Sequence, residues 1–214
     1  MISKISVGAN LYRGYSLEQV FESLNRLDVK YVDLDFIKPP DTIVGAGYLS
    51  HFSENDLSRA TDFKKMLVDY GLQAITFSGH MNVVTSEDRD LFSKKMHFAV
   101  EIGASIISTN QGPKEKENDF YNQMEFIAKE AEKIDITVGL ETAMPGHILE
   151  KGTDVKTIMS RIGSPKIKAT YDMGNIYYSQ RGNIDYISDI KACLPYLSNF
   201  HFKDACFSNG ELRY

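Results

Sequence analysis

The sequence is poor in cysteine, carries no block of like charge and has no long apolar segment. Its two cysteines, Cys193 and Cys206, form no CxxC pair, so neither a disulfide framework nor a zinc knuckle is encoded, and a reducing cytoplasm fits. Lysine and arginine total 24 against 29 aspartate and glutamate, which disfavours a nucleic-acid partner. No apolar run approaches the roughly 18 residues that a membrane span needs. We therefore expect a cytoplasmic protein that is neither secreted nor membrane-bound.

The chain has the length and composition of one globular domain. Its 214 residues are 43% hydrophobic, and a domain of this size buries roughly 70% of the surface that its unfolded chain exposes. Such a core needs neither disulfides nor a structural metal. We therefore assign residues 1–214 to a single domain, in which any bound metal serves chemistry.

Seven short runs rich in β-branched and aromatic residues predict strands, and helical patterns lie between them. Ser16 to Gln19, for example, form a capping box ahead of an apolar stripe that includes Val20, Phe21 and Leu24. Strict alternation of strand and helix predicts a parallel sheet covered by helices, either closed as a barrel or open. The predicted strands are Ile5–Ala9, Tyr31–Ile37, Leu72–Phe77, Ser105–Thr109, Ile136–Glu141, Ile167–Asp172 and Leu197–Phe202.

A regular spacing of polar residues favours the closed barrel. His80, Asn110, Glu141, Asp172 and His201 stand at or just beyond strand ends, at separations of 30, 31, 31 and 29 residues. A barrel of roughly 250 residues has about 31 residues per strand-helix unit and builds its active site from strand-end residues. An open sheet does not require this regularity, and no GxGxxG follows the first strand. We predict a (β/α)8 TIM barrel.

Three of these residues are candidate metal ligands. Because alternate strand residues face opposite sides, Glu141, Asp172 and His201 should all point into the barrel mouth. Two carboxylates and one imidazole suit one divalent metal ion, such as Mn, Mg, Co or Zn. The alternative is a set of hydrogen-bonded strand-end residues without metal, but the two carboxylates would then lack a balancing cation.

Three motifs carry a resemblance to a known family. Gly139–Thr142, Tyr171–Asn175 and Phe200–Asp204 resemble the GxE, DxGN and HxKD signatures of xylose-isomerase-like sugar phosphate isomerases and epimerases. That superfamily also holds inosose dehydratase, tagatose epimerase and endonuclease IV. The resemblance spans most of the chain in order. It implies that Glu141, Asp172 and His201 are metal ligands, with a fourth ligand, a Glu, on an eighth strand.

The resemblance also implies a reaction class: metal-dependent isomerisation or epimerisation of a sugar, sugar phosphate or polyol, or a related dehydratase or lyase reaction. Glu141 would act as general base beside a carbonyl, a role worth roughly a hundredfold or more in rate. His80, His147 and Lys203 are candidate substrate-binding residues. Each also has a structural interpretation, which for Lys203 is an ion pair with Asp204.

Two other functions stay open at this point. Endonuclease IV-like cleavage of DNA would need several zinc ions and a basic groove, but Asn175 stands where that branch places a histidine ligand. A non-catalytic sugar-binding barrel is the other alternative. The sequence does not name the sugar or the oligomeric state, and a homo-oligomer is compatible with it.

The C-terminal residues differ from the expected pattern. No eighth strand follows Leu197–Phe202, so we expect the eighth strand and the last helices to be missing and the barrel to be C-terminally incomplete. Glu211 is expected in a polar loop after Ser208, Asn209 and Gly210, with no strand to position it.

Overall fold

The computed structural model describes residues 4–12, 15–35, 54–204, 206–208 and 211–213. Seven strands form one parallel sheet in sequence order, curled as a partial TIM barrel, which confirms the predicted fold class. Among the described residues, no eighth strand joins this sheet. The strands are β1 (Ser6–Gly8), β2 (Tyr31–Asp35), β3 (Gln73–Asn82), β4 (Ile106–Asn110), β5 (Thr137–Glu141), β6 (Ile167–Asp172) and β7 (Leu197–His201).

Helices follow strands as the periodic apolar positions predict. The first begins with the predicted capping box, in which Ser16 and Gln19 exchange hydrogen bonds between side chain and backbone. Two others end at glycines in the left-handed region, Gly103 and Gly163, a conformation that favours glycine. The helices are α1 (Leu17–Arg26), α2 (Ala60–Asp69), α3 (Ser86–Ile102), α4 (Glu117–Lys133), α5 (Gly152–Ile162), α6 (Met173–Ser179) and α7 (Tyr186–Cys193).

The two faces of the sheet differ in chemistry. Val138 and Leu140 of β5 are fully buried on the face that packs against the helices. The opposite face carries small polar residues, and the Ser108 and Thr170 hydroxyls lie 3.1 Å apart there. Gly139 leaves room for this layer, since a Cβ at that position would collide with the Thr170 hydroxyl. The alternation predicted for β5 is therefore the one observed.

A buried carboxylate anchors two helices to the outer side of β6. Asp189 of α7 accepts hydrogen bonds from the backbone nitrogens of Gly152 (2.8 Å) and Thr153 (3.0 Å) at the start of α5. The Tyr171 hydroxyl donates a third bond, at 2.8 Å. A carboxylate at a helix N-terminus satisfies backbone N–H groups that would otherwise lack partners. We call these four residues the Asp189 anchor.

Two expectations were wrong in detail. Strand β3 continues to Asn82, beyond the predicted end at Phe77, so His80 lies within the strand. Glu211 does not lie in a loop: Glu211–Arg213 (β9) pairs antiparallel with Cys206–Ser208 (β8). Asn209 and Gly210, which separate these strands, lie outside the described residues.

In the described part of the chain, no helix is both long enough and apolar enough to cross a membrane.

Candidate active site

The three predicted metal ligands meet at one end of the sheet. Glu141 ends β5, Asp172 ends β6 and His201 ends β7, and the last two are direct partners in the register of adjacent strands. One ligand atom from each lies within 4.8 Å of the others. Both carboxylates are buried, with 3% of Glu141 and 1% of Asp172 exposed. The parallel register and the alternation of side chains thus bring residues far apart in sequence to one point.

The two oxygens of Glu141 face different histidines. Nδ1 of His201 lies 3.2 Å from Oε1 of Glu141 and 3.6 Å from Oδ2 of Asp172. Nδ1 of His80 lies 3.2 Å from the other oxygen, Oε2. Strand β3 therefore places His80 beside Glu141, at the oxygen that does not face His201. This contact links one predicted substrate-binding residue to the predicted metal ligands.

Asn175 connects the two carboxylates. Its amide nitrogen Nδ2 donates to Glu141 Oε1 at 3.1 Å and to the carbonyl of Thr142 at 2.9 Å. Its backbone nitrogen donates to Asp172 Oδ1 at 2.8 Å, so Asp172 is also the N-cap of helix α6. Sequence reasoning placed Asn175 in a motif but missed this role, because the contact depends on how α6 begins.

Lys203 approaches the same cluster from beyond β7. Its Nζ lies 2.9 Å from Asp172 Oδ2 and donates to Asn175 Oδ1 at 2.9 Å. The aliphatic part of the side chain passes over Gly174, where a Cβ would lie only 2.6 Å from Lys203 Cγ. The glycine of the DxGN segment is thus required by the path of the lysine.

Burial and neighbouring charges both shift the pKa values of these groups. Burial acts to raise the pKa of Glu141, but the charges of His80 and His201 lower it well below its usual value. Burial likewise acts to lower the pKa of His201, yet Glu141 and Asp172 raise it well above the ordinary range. Burial raises the pKa of Asp172, and Lys203 opposes that rise. The cluster is therefore a compact set of opposite charges.

The donor set fits a divalent cation. Carboxylate oxygens and an imidazole nitrogen are ligands for hard or borderline ions, and their spacing brings them to one point. Oε2 of Glu141 is buried and accepts no hydrogen bond from any described residue. A buried carboxylate oxygen without a hydrogen bond is costly, so this second oxygen of Glu141 is available for a contact with a bound substrate. Glu141, Asp172 and His201 are the residues that would hold the ion.

A cavity of about 880 Å³ opens beside the cluster, and Asp33 of β2 reaches it. The Thr76 hydroxyl donates to Asp33 at 2.6 Å, and burial raises the pKa of this carboxyl group. Asp33 was absent from the sequence-based set. The available signal was an acidic residue between the buried Val32 and Leu34, a pattern that indicates an inward-facing carboxylate. The cavity lining includes Asp33, Ser78, His80, Glu141, Asp172, Asn199, His201 and Lys203.

Two sequence-selected residues lie elsewhere. His147 is in the loop after β5, bridged to Pro113, and it does not line the cavity. Burial lowers its pKa, and in the described part of the chain its buried Nδ1 has no hydrogen-bond partner. Asn110 ends β4 beside Asn82 and is also outside the cavity lining. Substrate binding by His147 stays a prediction.

The fold and the strand-end cluster define a class: a parallel α/β barrel with a candidate metal centre at the carboxyl ends of its strands. A sequence profile described as the xylose isomerase-like TIM barrel matches residues 21–213. The chain belongs to this family. No curated protein matches the sequence.

Solved structures show the same fold at low sequence identity. The 3-keto-D-glucoside 4-epimerase YcjR of E. coli has a TM-score of 0.72 at 11% identity, covering 95% of this chain and 80% of its own. A D-psicose 3-epimerase from Clostridium cellulolyticum H10 has a TM-score of 0.72 at 10% identity, with coverages of 93% and 72%. The AP endonuclease family 2 protein of Brucella melitensis has a TM-score of 0.71 at 15% identity, with coverages of 93% and 78%.

Proposed function

We propose that this protein is a divalent-metal-dependent isomerase or epimerase of a sugar, sugar phosphate or polyol, acting by proton transfer next to a carbonyl. The observation that carries the proposal is the convergence of Glu141, Asp172 and His201 beside a cavity, with His80 at the remaining oxygen of Glu141. The epimerases among the structural neighbours support the same class. A cytoplasmic location and a sugar-sized ligand belong to this proposal.

The two oxygens of Glu141 have different surroundings, which suits two tasks. Oε1 is held by Asn175 and faces His201, on the side of Asp172. Within the described residues Oε2 accepts no hydrogen bond, and it faces His80. In our proposal Oε1 belongs to the metal centre, whereas Oε2 takes a proton from substrate carbon. The lowered pKa of Glu141 keeps the carboxylate ionised, which is the form that a general base needs.

The bound ion would supply one effect, which is stabilisation of the negative charge that develops on substrate oxygens as the proton leaves. The protein supplies the geometry. His80 is positioned to donate a hydrogen bond to a substrate hydroxyl or to orient Oε2 of Glu141. Lys203, at the rim of the cavity, is positioned for a second substrate oxygen. We keep His147 as a third candidate for substrate binding.

The proposal is tested by hydrogen exchange on a ketose panel in deuterated solvent. The wild-type protein, loaded with Mn²⁺, should exchange one substrate hydrogen. Glu141→Gln should lower the exchange rate by about a hundredfold or more, because an amide cannot accept the proton. The exposed Glu125→Gln is the matched control, since Glu125 pairs with Lys129 on the outer surface of α4. Exchange by Glu141→Gln at the parent rate refutes the role of Glu141.

A second variant separates chemistry from metal binding. His80 faces the oxygen of Glu141 that lies outside the proposed coordination set. His80→Gln should therefore retain the metal and lose about tenfold or more of the exchange rate. Loss of the metal in this variant would assign His80 to the coordination set instead.

A further inference from the structure

Lys203 occupies an unusual position relative to the candidate metal ligands. Its ammonium nitrogen lies 2.9 Å from Oδ2 of Asp172. That same oxygen lies 3.6 Å from Nδ1 of His201, so it is the Asp172 oxygen that faces the candidate metal centre. The other oxygen, Oδ1, is used by the backbone of Asn175 as a helix cap. A metal ion and the Lys203 ammonium would therefore share a single carboxylate oxygen.

We propose that Lys203 is a built-in counter-cation, which neutralises Asp172 before the metal ion binds and is displaced from Oδ2 when the ion arrives. This inference rests on the proposed metal-dependent function and adds a role for a residue of this chain. Two positive charges bound to one oxygen repel each other strongly at short range. The lysine can yield, because its side chain is 37% exposed and long, whereas the carboxylate is 2% exposed and fixed by its cap.

The surroundings of Lys203 allow its ammonium group to be displaced from Asp172. Asn175 Oδ1 accepts the same ammonium at 2.9 Å, so the lysine keeps a neutral partner when it leaves Asp172. Its stem passes directly over Gly174, which limits the movement to the end of the side chain. The released ammonium stays at the rim of the cavity that the metal ligands line. There it can contact an oxygen of a metal-bound substrate.

The change in Mn²⁺ affinity caused by removing the charge of Lys203 distinguishes this role from a role in which Lys203 only orients Asp172. Lys203→Met keeps the aliphatic stem over Gly174 and removes the charge. If Lys203 competes with the ion, this variant should bind Mn²⁺ about tenfold more tightly than wild type. If Lys203 only orients Asp172, the variant should bind Mn²⁺ equally or more weakly. The measurement is calorimetric titration of the metal-free protein with Mn²⁺, without substrate.

Two further variants control for charge and for folding. Lys129→Met removes the same charge from a lysine-carboxylate pair on the outer face of α4, where Nζ lies 2.8 Å from Glu125, and should leave the affinity for Mn²⁺ unchanged. Lys203→Arg keeps the charge and should bind Mn²⁺ like the wild type or more weakly. Circular dichroism melting of each metal-free variant checks that the folded state is preserved.

A labelling experiment tests the displacement in the wild-type protein. Amine acetylation followed by mass spectrometry should modify Lys203 faster with Mn²⁺ bound than without it, while Lys129 is unaffected. Equal or slower labelling of Lys203 overturns the inference, and so does equal or weaker Mn²⁺ binding by Lys203→Met. A wild-type protein that binds no Mn²⁺ instead refutes the proposed function on which the inference rests.

Discussion

Two buried carboxylate clusters lie on opposite faces of strand β6, next to each other in sequence. Tyr171 points outward and donates to Asp189, whereas Asp172 points inward to His201 and Lys203. In the Asp189 anchor the donors are two backbone N–H groups and a hydroxyl, all neutral and all fixed by the fold. In the inner cluster the cationic side chains of Lys203 and His201 face the carboxylates beside the neutral donors of Asn175, and one oxygen of Glu141 accepts no hydrogen bond from the described residues.

The difference shows how to distinguish a structural acid from a functional one. Asp189 accepts its hydrogen bonds from groups of the chain itself, so these bonds contribute to the free energy of folding. The inner carboxylates face a cavity of about 880 Å³ and are paired with the cationic side chains of His201 and Lys203. The electrostatic interactions of these carboxylates can therefore contribute to the free energy of binding a ligand. Variants of the two clusters should therefore change different properties. Variants of the inner cluster should lose metal affinity, and variants of the Asp189 anchor should lose stability.

The largest expected effect is on metal affinity at the inner cluster. Asp172→Asn keeps an oxygen that can cap helix α6 but loses the negative charge that faces His201 and Lys203. We expect the affinity for Mn²⁺ to fall by about a hundredfold, since even residues that only support metal ligands contribute tenfold to a hundredfold. Calorimetric titration measures this, and a Kd equal to that of wild type would remove Asp172 from the metal centre.

The next effect is on stability at the Asp189 anchor. Asp189→Ala leaves the nitrogens of Gly152 and Thr153 and the Tyr171 hydroxyl without their acceptor. We expect the free energy of unfolding to fall by about 3 kcal/mol. The affinity of the folded variant for Mn²⁺ should remain that of wild type. Urea denaturation gives the first quantity. If Asp189→Ala lost its affinity for Mn²⁺ but kept its stability, Asp189 would be a functional acid rather than a structural one.

A smaller effect is expected when only one donor of the anchor is removed. Tyr171→Phe deletes the hydroxyl that donates to Asp189 but keeps the ring, which stacks on Phe200 at a centroid distance of 5.2 Å. The two backbone donors remain, so the free energy of unfolding should fall by only about 1 kcal/mol. Urea denaturation beside Asp189→Ala checks this. Losses of equal size in the two variants would show that Tyr171 carries the whole anchor.

Sequence reasoning predicted the parts of the molecule that depend on periodicity. The spacing of Glu141, Asp172 and His201 predicted that these residues meet, because parallel strands with a constant repeat bring equivalent ends together. Side-chain alternation predicted their direction. The parts that were missed depend on contacts across elements, such as the amide of Asn175 on Glu141, which follows from the start of helix α6.

Strand ends were the other source of error. Strand β3 continues through Ser78 and Gly79, residues that usually interrupt a strand pattern. Gly79 is accommodated because Ile107 and Phe92 fill the space beside it, where a Cβ would lie 2.8 Å from Ile107 Cδ1. Such packing cannot be read from the local sequence. An Asn-Gly pair precedes Glu211, and such a pair between two short strands predicts a hairpin. We assigned the segment to a loop because its residues are polar.

The smallest effect concerns cysteine reactivity beside the Asp189 anchor. Burial and the nearby charge of Asp189 raise the pKa of Cys193 to about 11, whereas Cys206 is exposed. At pH 8 little thiolate forms at Cys193, because the pH lies well below its pKa, so one thiol per chain should react quickly with a disulfide reagent. Cys206→Ser should abolish this fast reaction. A fast reaction that persists in Cys206→Ser would show that the reagent reaches Cys193 beside the Asp189 anchor.

The most direct test of the central claim is the metal content of the purified wild-type chain after Mn²⁺ loading and gel filtration. A single centre formed by Glu141, Asp172 and His201 predicts one ion per chain, and a variant with alanine at all three positions should retain none. No ion in the wild-type protein, or full content in the triple variant, would contradict the account. Three zinc ions per chain from a loading with zinc would favour the nuclease alternative instead.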